Sequence, residues 1–204
     1  MKTSPESFAR QYLRESMEIL GLLDAAALDA MALALAKVRG QGGRLFILGS
    51  GGGAGHASHA VCDFRKIAQF EAYAPSDNVS ELTARANDEG WESVYAAWLR
   101  TSRLSAADAI LVFSVGGGDR ERNISPNLVA AMEFAQRQKA LICAVVGRDG
   151  GFAARVARHC VLVPTVEPGR ITPHVESMQA LLWHLLVSHP ALARAATKWE
   201  SAAR

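Results

Sequence analysis

Residues 44–64, RLFILGSGGGAGHASHAVCDF, decide how the rest of the chain is read. Leu45, Phe46, Ile47 and Leu48 form a continuous apolar run, which predicts a strand covered on both faces. Gly49-Ser50-Gly51-Gly52-Gly53 follows and removes nearly every side chain from the turn. A helix carrying His59 and Asp63 comes next. The turn thus lies at the carboxyl end of a strand and ahead of a helix N-terminus, where unpaired N–H groups and the helix dipole favour an anion. Open α/β sheets bind ligands at such places. Gly49, Gly51 and Ala54 also satisfy a loose G-x-G-x-x-A dinucleotide fingerprint. A nicotinamide site further wants an acid at the end of the next strand, and Glu71, the only acid in 70–74, lies near its start.

Working outward, composition sets the class. Half of the 204 residues are hydrophobic and 21% are charged, which is ordinary for one globular domain with a sizeable core, expected over 1–204. A net charge of +2 gives no bulk electrostatic drive toward nucleic acid or a membrane surface. No apolar run approaches the ~20 residues of a membrane-spanning helix. The opening MKTSPESFARQYLRESMEIL carries acids and lacks the apolar block of a signal peptide. Cys62, Cys143 and Cys160 have no CxxC spacing and read as reduced thiols. The expectation is a cytoplasmic protein without nucleic-acid or membrane partners.

Before the first strand, Ser4 and Pro5 predict a helix start, with Phe8, Tyr12, Leu13, Met17 and Leu20 at helical spacing. Asp24 caps a second helix with Leu28, Met31, Leu35 and Val38 on one face. Residues 1–43 therefore form a helical extension, and its apolar stripes predict a homo-oligomer. Further strands are expected at 70–74, 109–113, 141–146 and 160–163. Helices are expected at 79–86 behind an Asp77 cap, 91–99, 127–139, 152–157, 174–188 and 191–199. Strands alternating with helices imply a parallel sheet with right-handed crossovers. The fold class is α/β, a three-layer α/β/α sandwich with a five-stranded parallel sheet in flavodoxin-like order.

The strand at 109–113 runs into Ser114-Val115-Gly116-Gly117-Gly118-Asp119, a charged segment to Asn123, and then Ser125-Pro126. Ser125 suits an N-cap and Pro126 the first helical position. In the order 2-1-3-4-5 the first and third strands are neighbours, so both glycine loops face one crevice.

His59 and Asp63 are four apart and share a helix face. Such a pair either stabilises its helix by about 0.2–0.5 kcal/mol or supplies half of a metal site. Glu176 and His184 are eight apart, again on one face. Two histidines and two carboxylates suit a divalent metal such as zinc if the helices meet. His56, His159, His174 and His189 read as surface or packing residues.

Together these motifs resemble the SIS (sugar isomerase) domain family, and within it the phosphoheptose isomerases. The resemblance runs over nearly the whole chain. It is carried most specifically by His59-x-x-x-Asp63, Ala86-Asn87-Asp88, Gly147-Arg148-Asp149-Gly150-Gly151 and the helix bearing Glu176 and His184. It implies an aldose–ketose isomerase that converts sedoheptulose 7-phosphate to a heptose 7-phosphate through an enediol. Other implications are a homotetramer, a phosphorylated seven-carbon sugar as ligand, and one zinc ion per subunit. By resemblance, Ser50, Gly51, Gly52, Asn87 and Asp88 contact the substrate. Ser114, Val115, Gly116 and Ser125 form the phosphate loop. His59, Asp63, Glu176 and His184 match metal ligands, with Asp63 as base, also touching substrate, and His184 as acid. Glu176, which also matches a substrate contact, is the alternative base.

Three departures stand out. Asp63 replaces a common Glu, and Glu176 replaces a common Gln. The phosphate loop has one hydroxyl where others have three, and Arg120 or Arg122 is expected to compensate. Two other functions fit the same motifs: an isomerase of another phosphosugar, and a non-catalytic SIS module that binds a sugar phosphate or a protein partner, as members associating with the replication initiator do.

Overall fold

A computed structural model describes residues 7–198. Helix α1 (Phe8–Leu22) begins at Ser7, whose side chain accepts from the Arg10 N–H. The expected start at Ser4 and Pro5 lies outside the described residues. Helix α2 (Ala25–Gly40) is capped by Asp24 as expected. Then come β1 (Leu45–Gly49), α3 (Gly52–Lys66), β2 (Ala72–Tyr73), α4 (Val79–Asp88), α5 (Ser93–Thr101) and β3 (Ala109–Ser114). The chain continues through α6 (Pro126–Arg137), β4 (Leu141–Val146), α7 (Gly151–Val156), β5 (His159–Leu162) and α8 (Ile171–Ser188).

The five strands are parallel and ordered β2-β1-β3-β4-β5. Strands β1 and β3 pair from Leu45↔Ala109 to Gly49↔Phe113, which brings their carboxyl ends level. Alternation sorts their side chains into two layers. Ile47, Leu111 and Val145 pack on one face with Met31 of α2, Phe64 of α3 and Trp183 of α8. Phe46, Leu48 and Val112 pack on the other with Tyr95 of α5 and Leu128 and Met132 of α6. Every residue of β1 and β3 is buried, as their unbroken apolar runs require. Among the described residues no single helix is long and apolar enough to cross a membrane.

Several elements depart from expectation. Strand β2 has only two residues, paired at Leu45↔Ala72 and Phe46↔Tyr73, because Pro75 turns the chain into a 3-10 turn. Strand β5 starts one residue early and ends at Leu162. Asn78, not Asp77, caps α4 by accepting from the Glu81 N–H, while Asp77 accepts from the Ser58 hydroxyl. The helix expected at 191–199 does not form over 191–197, and Trp199 lies outside the described residues. Its hydrogen-bonding groups are taken elsewhere. Arg39 donates to the carbonyls of Ala191 and Leu192, and the Ala195 N–H, which would close a helical turn on Ala191, donates to the Ile67 carbonyl.

Candidate active site

Helices α3 and α8 run side by side in one direction, and the contacts between them follow residue by residue. Gly52 lies under Glu176: a Cβ on that glycine would sit 2.5 Å from Glu176 Oε1. His56 meets Gln179 and Trp183, with its Nδ1 3.1 Å from Gln179 Oε1. His59 packs edge-on against Trp183 and His184 at 5.3 and 5.5 Å between centroids. Asp63 accepts from Trp183 Nε1 at 3.1 Å and lies 3.4 Å from His184 Nε2 and 3.7 Å from His59 Nε2. Gly52, His56, His59 and Asp63 recur at helical spacing, so one stripe of α3 forms a wall of the cleft.

The protonation pattern of this group is set by its neighbours. His184 Nδ1 lies 2.7 Å from the Ala180 carbonyl, which can only accept, so Nδ1 carries the hydrogen. In the neutral ring Nε2 is then a lone pair facing the Asp63 carboxylate. Two acceptors at this distance need a proton or a cation between them. Ligand atoms of His59, Asp63 and His184 all lie within 4.8 Å of one another. A tetrahedral zinc with bonds of about 2.0–2.2 Å separates its ligand atoms by roughly 3.4 Å. Two imidazoles and a carboxylate at these spacings fit such an ion and leave a position open for an oxygen ligand.

Both glycine loops reach the upper end of the cleft. Gly51 takes φ +59°, a left-handed conformation that a side chain would strain, and turns β1 into α3. Tyr95 donates to the Gly49 carbonyl, and burial pushes its phenol up to about 12, so it stays a donor. In the second loop Ser114 Oγ accepts from the Gly117 N–H at 3.0 Å, and Val115 O accepts from the Gly147 N–H at 3.0 Å. Asn127, fully buried at the start of α6, donates from Nδ2 to Ser50 Oγ at 3.0 Å and so ties the loops together. Gln179, also fully buried, donates from Nε2 to the carbonyls of Ser114 and Val145 at 3.2 and 3.1 Å. It fastens α8 to the ends of β3 and β4.

The predicted residues therefore divide. His59, Asp63 and His184 come together. Glu176 stands apart, eight residues or about 12 Å along α8 from His184, over Gly52 of the first glycine loop. Ser125 takes the N-cap position of α6 with Pro126 first in the helix, as expected, and its carbonyl accepts from the N–H groups of Leu128 and Val129, but its backbone is left-handed (φ 50°, ψ 52°) and its side chain makes no capping bond. Gly116 has Arg148 beside it, with Cδ 3.6 Å from the position a Cβ would take. Arg120 pairs with Glu133 and Arg122 with Asp119. Asn87 and Asp88 are exposed at the end of α4 and bond each other; no hydrogen bond or ion pair joins them to the cleft among the described residues. Sequence reasoning missed Asn127, Gln179, Trp183 and the inward role of His56. A lone amide in an apolar helix, as at 179, was the available signal.

Comparison with known proteins follows the same lines. No protein-family model matches the chain. It is 32% identical over 197 residues to the lincomycin biosynthesis protein LmbN of Streptomyces lincolnensis, covering 91% of this chain and 70% of that one. It is 31% identical over 170 residues to a phosphoheptose isomerase of Solidesulfovibrio magneticus, covering 81% and 75%. The phosphoheptose isomerase GmhA of Neisseria gonorrhoeae superposes with a TM-score of 0.74 at 24% identity, over 87% of this chain and 92% of that one. The sheet order, the paired glycine loops and the α3–α8 cleft define an SIS-type sugar-phosphate isomerase fold. Within that class the chain belongs to the phosphoheptose isomerase family.

Proposed function

We propose that this protein is a ketose–aldose isomerase converting sedoheptulose 7-phosphate to a heptose 7-phosphate in heptose biosynthesis, with residues 1–204 acting as one domain. The observation that carries the chemistry is the meeting of Asp63 and His184 in one cleft, 3.4 Å apart, beside two glycine loops. Isomerisation moves a proton from C1 to C2 and another from O1 to O2. Asp63 takes the C1 proton, the electrons of the broken C–H bond form the enediol double bond, and Asp63 returns the proton to C2. Oδ2 is held by the Trp183 N–H, which leaves Oδ1 to do this. Where its Nε2 is not bound to an ion, His184 receives the O1 proton there and passes it to O2, a shuttle suited to imidazole at neutral pH. Glu176 is the alternative base.

A divalent ion, zinc for this donor set, would be held by His59, Asp63 and His184, with Glu176 joining if it turns from Gly52, and would polarise the carbonyl oxygen. The phosphate docks on Ser114, the N–H groups of Val115 and Gly116, and Ser125, whose hydroxyl is free of a capping role. Arg148 supplies nearby positive charge. Ser50, Gly51 and Gly52 meet the sugar chain, and Asn87 and Asp88 contact it as well. Anchoring the phosphate fixes the reacting carbons at Asp63. A homotetramer is supported by the exposed apolar side chains of α1 and α2. A cytoplasmic setting agrees with three unpaired cysteines.

The likeness to a lincomycin biosynthesis protein and the single-hydroxyl phosphate loop favour a second reading, the same chemistry on another phosphosugar. Turnover in D₂O tests both. Sedoheptulose 7-phosphate should convert to an aldose, with deuterium at C2 to the extent that the proton held on Asp63 exchanges with solvent before it is returned. No conversion, with turnover of a different ketose phosphate in a panel, would establish the second reading.

A further inference from the structure

We infer that His56 is a substrate-binding residue, whose Nε2 accepts a hydrogen bond from a sugar hydroxyl between the phosphate and the reacting carbons. The inference deepens the isomerase reading of the α3–α8 cleft and rests on it.

The tautomer follows from three contacts. Both partners of the Gln179 amide nitrogen are backbone carbonyls, at 3.2 and 3.1 Å. Carbonyls only accept, so the NH₂ group must face them and Oε1 must face His56. Oε1 accepts as well, so His56 Nδ1 carries a hydrogen and donates it at 3.1 Å. Gln179 is fully buried and cannot turn without leaving two strand-end carbonyls unpaired. In the neutral ring His56 Nε2 is therefore fixed as an acceptor, the complement of a hydroxyl donor.

Position supplies the ligand. His56 is half-buried, its ring braced at 5.1 Å from that of Trp183 and edge-on to Phe113 at 6.4 Å. On α3 it stands one turn beyond Gly52, which meets Glu176, and one turn before His59, which meets His184. Gly52 to His59 spans about 10 Å of helix. A phosphosugar with its phosphate at the loops and its carbonyl at Asp63 lays its middle carbons over His56.

Two variants separate binding from support. His56→Asn keeps an N–H at the Nδ1 position for Gln179 and removes Nε2. It should raise KM for sedoheptulose 7-phosphate about tenfold with kcat and Tm nearly unchanged, the loss expected for one uniform hydrogen bond. His56→Gln keeps an acceptor near Nε2 and loses the Gln179 bond, so it should lower Tm while KM stays within about threefold of wild type. Should neither variant fold, nitrogen-15 spectra of the wild-type imidazoles decide. The His56 ring should show hydrogen on Nδ1, and its Nε2 signal should move when the sugar phosphate is added. An unchanged KM in His56→Asn, or an unmoved Nε2 signal, overturns the assignment. His184→Gln, run alongside, separates the two claims. If it is inactive while His56→Asn behaves as wild type, only the role of His56 falls. If it turns over normally, the cleft is not the active site and both fall.

Discussion

His184 Nε2 lies 3.4 Å from Asp63 Oδ2, although the two side chains belong to helices far apart in the sequence, α8 and α3. The hydrogen on His184 is committed to Ala180. The pair is consequently two lone-pair donors aimed at one point, with His59 as a third.

The first consequence is a metal stoichiometry. Protein loaded with zinc and then dialysed should retain about one ion per chain by elemental analysis. His59→Ala should reduce affinity at least about tenfold, since one of three protein ligands is gone. Equal retention by wild type and His59→Ala would show that these side chains hold no ion.

A second concerns Asn127, which bonds Ser50 across the two glycine loops. Asn127→Ala removes a fully buried amide and leaves a small void. Urea unfolding should show a loss of about 1–3 kcal/mol, and KM for the phosphosugar should rise because the loops lose their brace. Unaltered KM would mean that the loops hold their positions without it.

A third concerns acid stability. Glu15 is buried where α1 meets α8, bonded by the Arg170 guanidinium at 2.9 Å and by His174 at 3.0 Å. The Arg170 guanidinium, with His174, holds its carboxyl well below the ordinary 4.5, at about 2. Between those values the unfolded chain binds the proton and the folded chain does not. The stabilisation is therefore complete above about pH 4.5 and lost as pH falls toward 2. Tm of the wild type should drop across this window more steeply than that of Glu15→Gln, which should already be lower at pH 7. Parallel Tm curves would contradict the linkage.

A fourth concerns assembly. Leu13, Met17 and Leu20 share one face of α1 and are 63%, 72% and 42% exposed. A lone apolar side chain on a surface is unremarkable, but one stripe of them marks an interface. Light scattering should give four times the chain mass of 21.8 kDa, and Met17→Glu should lower the mass. A wild-type monomer would refute the tetramer.

The architecture could be read in the chain because β1, β3 and β4 are short apolar runs that lead into glycine, and such runs suit a covered parallel sheet. The end of the chain misled because Ala191 and its neighbours have good helix propensity, while the bonds that prevent a helix come from Arg39 and Ile67, far away in sequence. The same holds for the site. His59 and Asp63 announce themselves by spacing on one helix. Gln179 and Asn127 acquire meaning only from carbonyls and hydroxyls on other elements. His56 reads from the sequence as a surface or packing ring, and only its hydrogen bond to Gln179 gives it a place in the cleft wall. Ser125 holds the N-cap position that its sequence suggests, but with a left-handed backbone its side chain makes no capping bond.

The most direct test is the turnover of sedoheptulose 7-phosphate by Asp63→Asn and His184→Gln beside the wild type, with circular dichroism confirming the fold of each. If these two groups move the protons, each variant should lose at least about a hundredfold in kcat, the scale of acid–base catalysis, while keeping its native spectrum. Wild-type kcat in either variant would contradict the account.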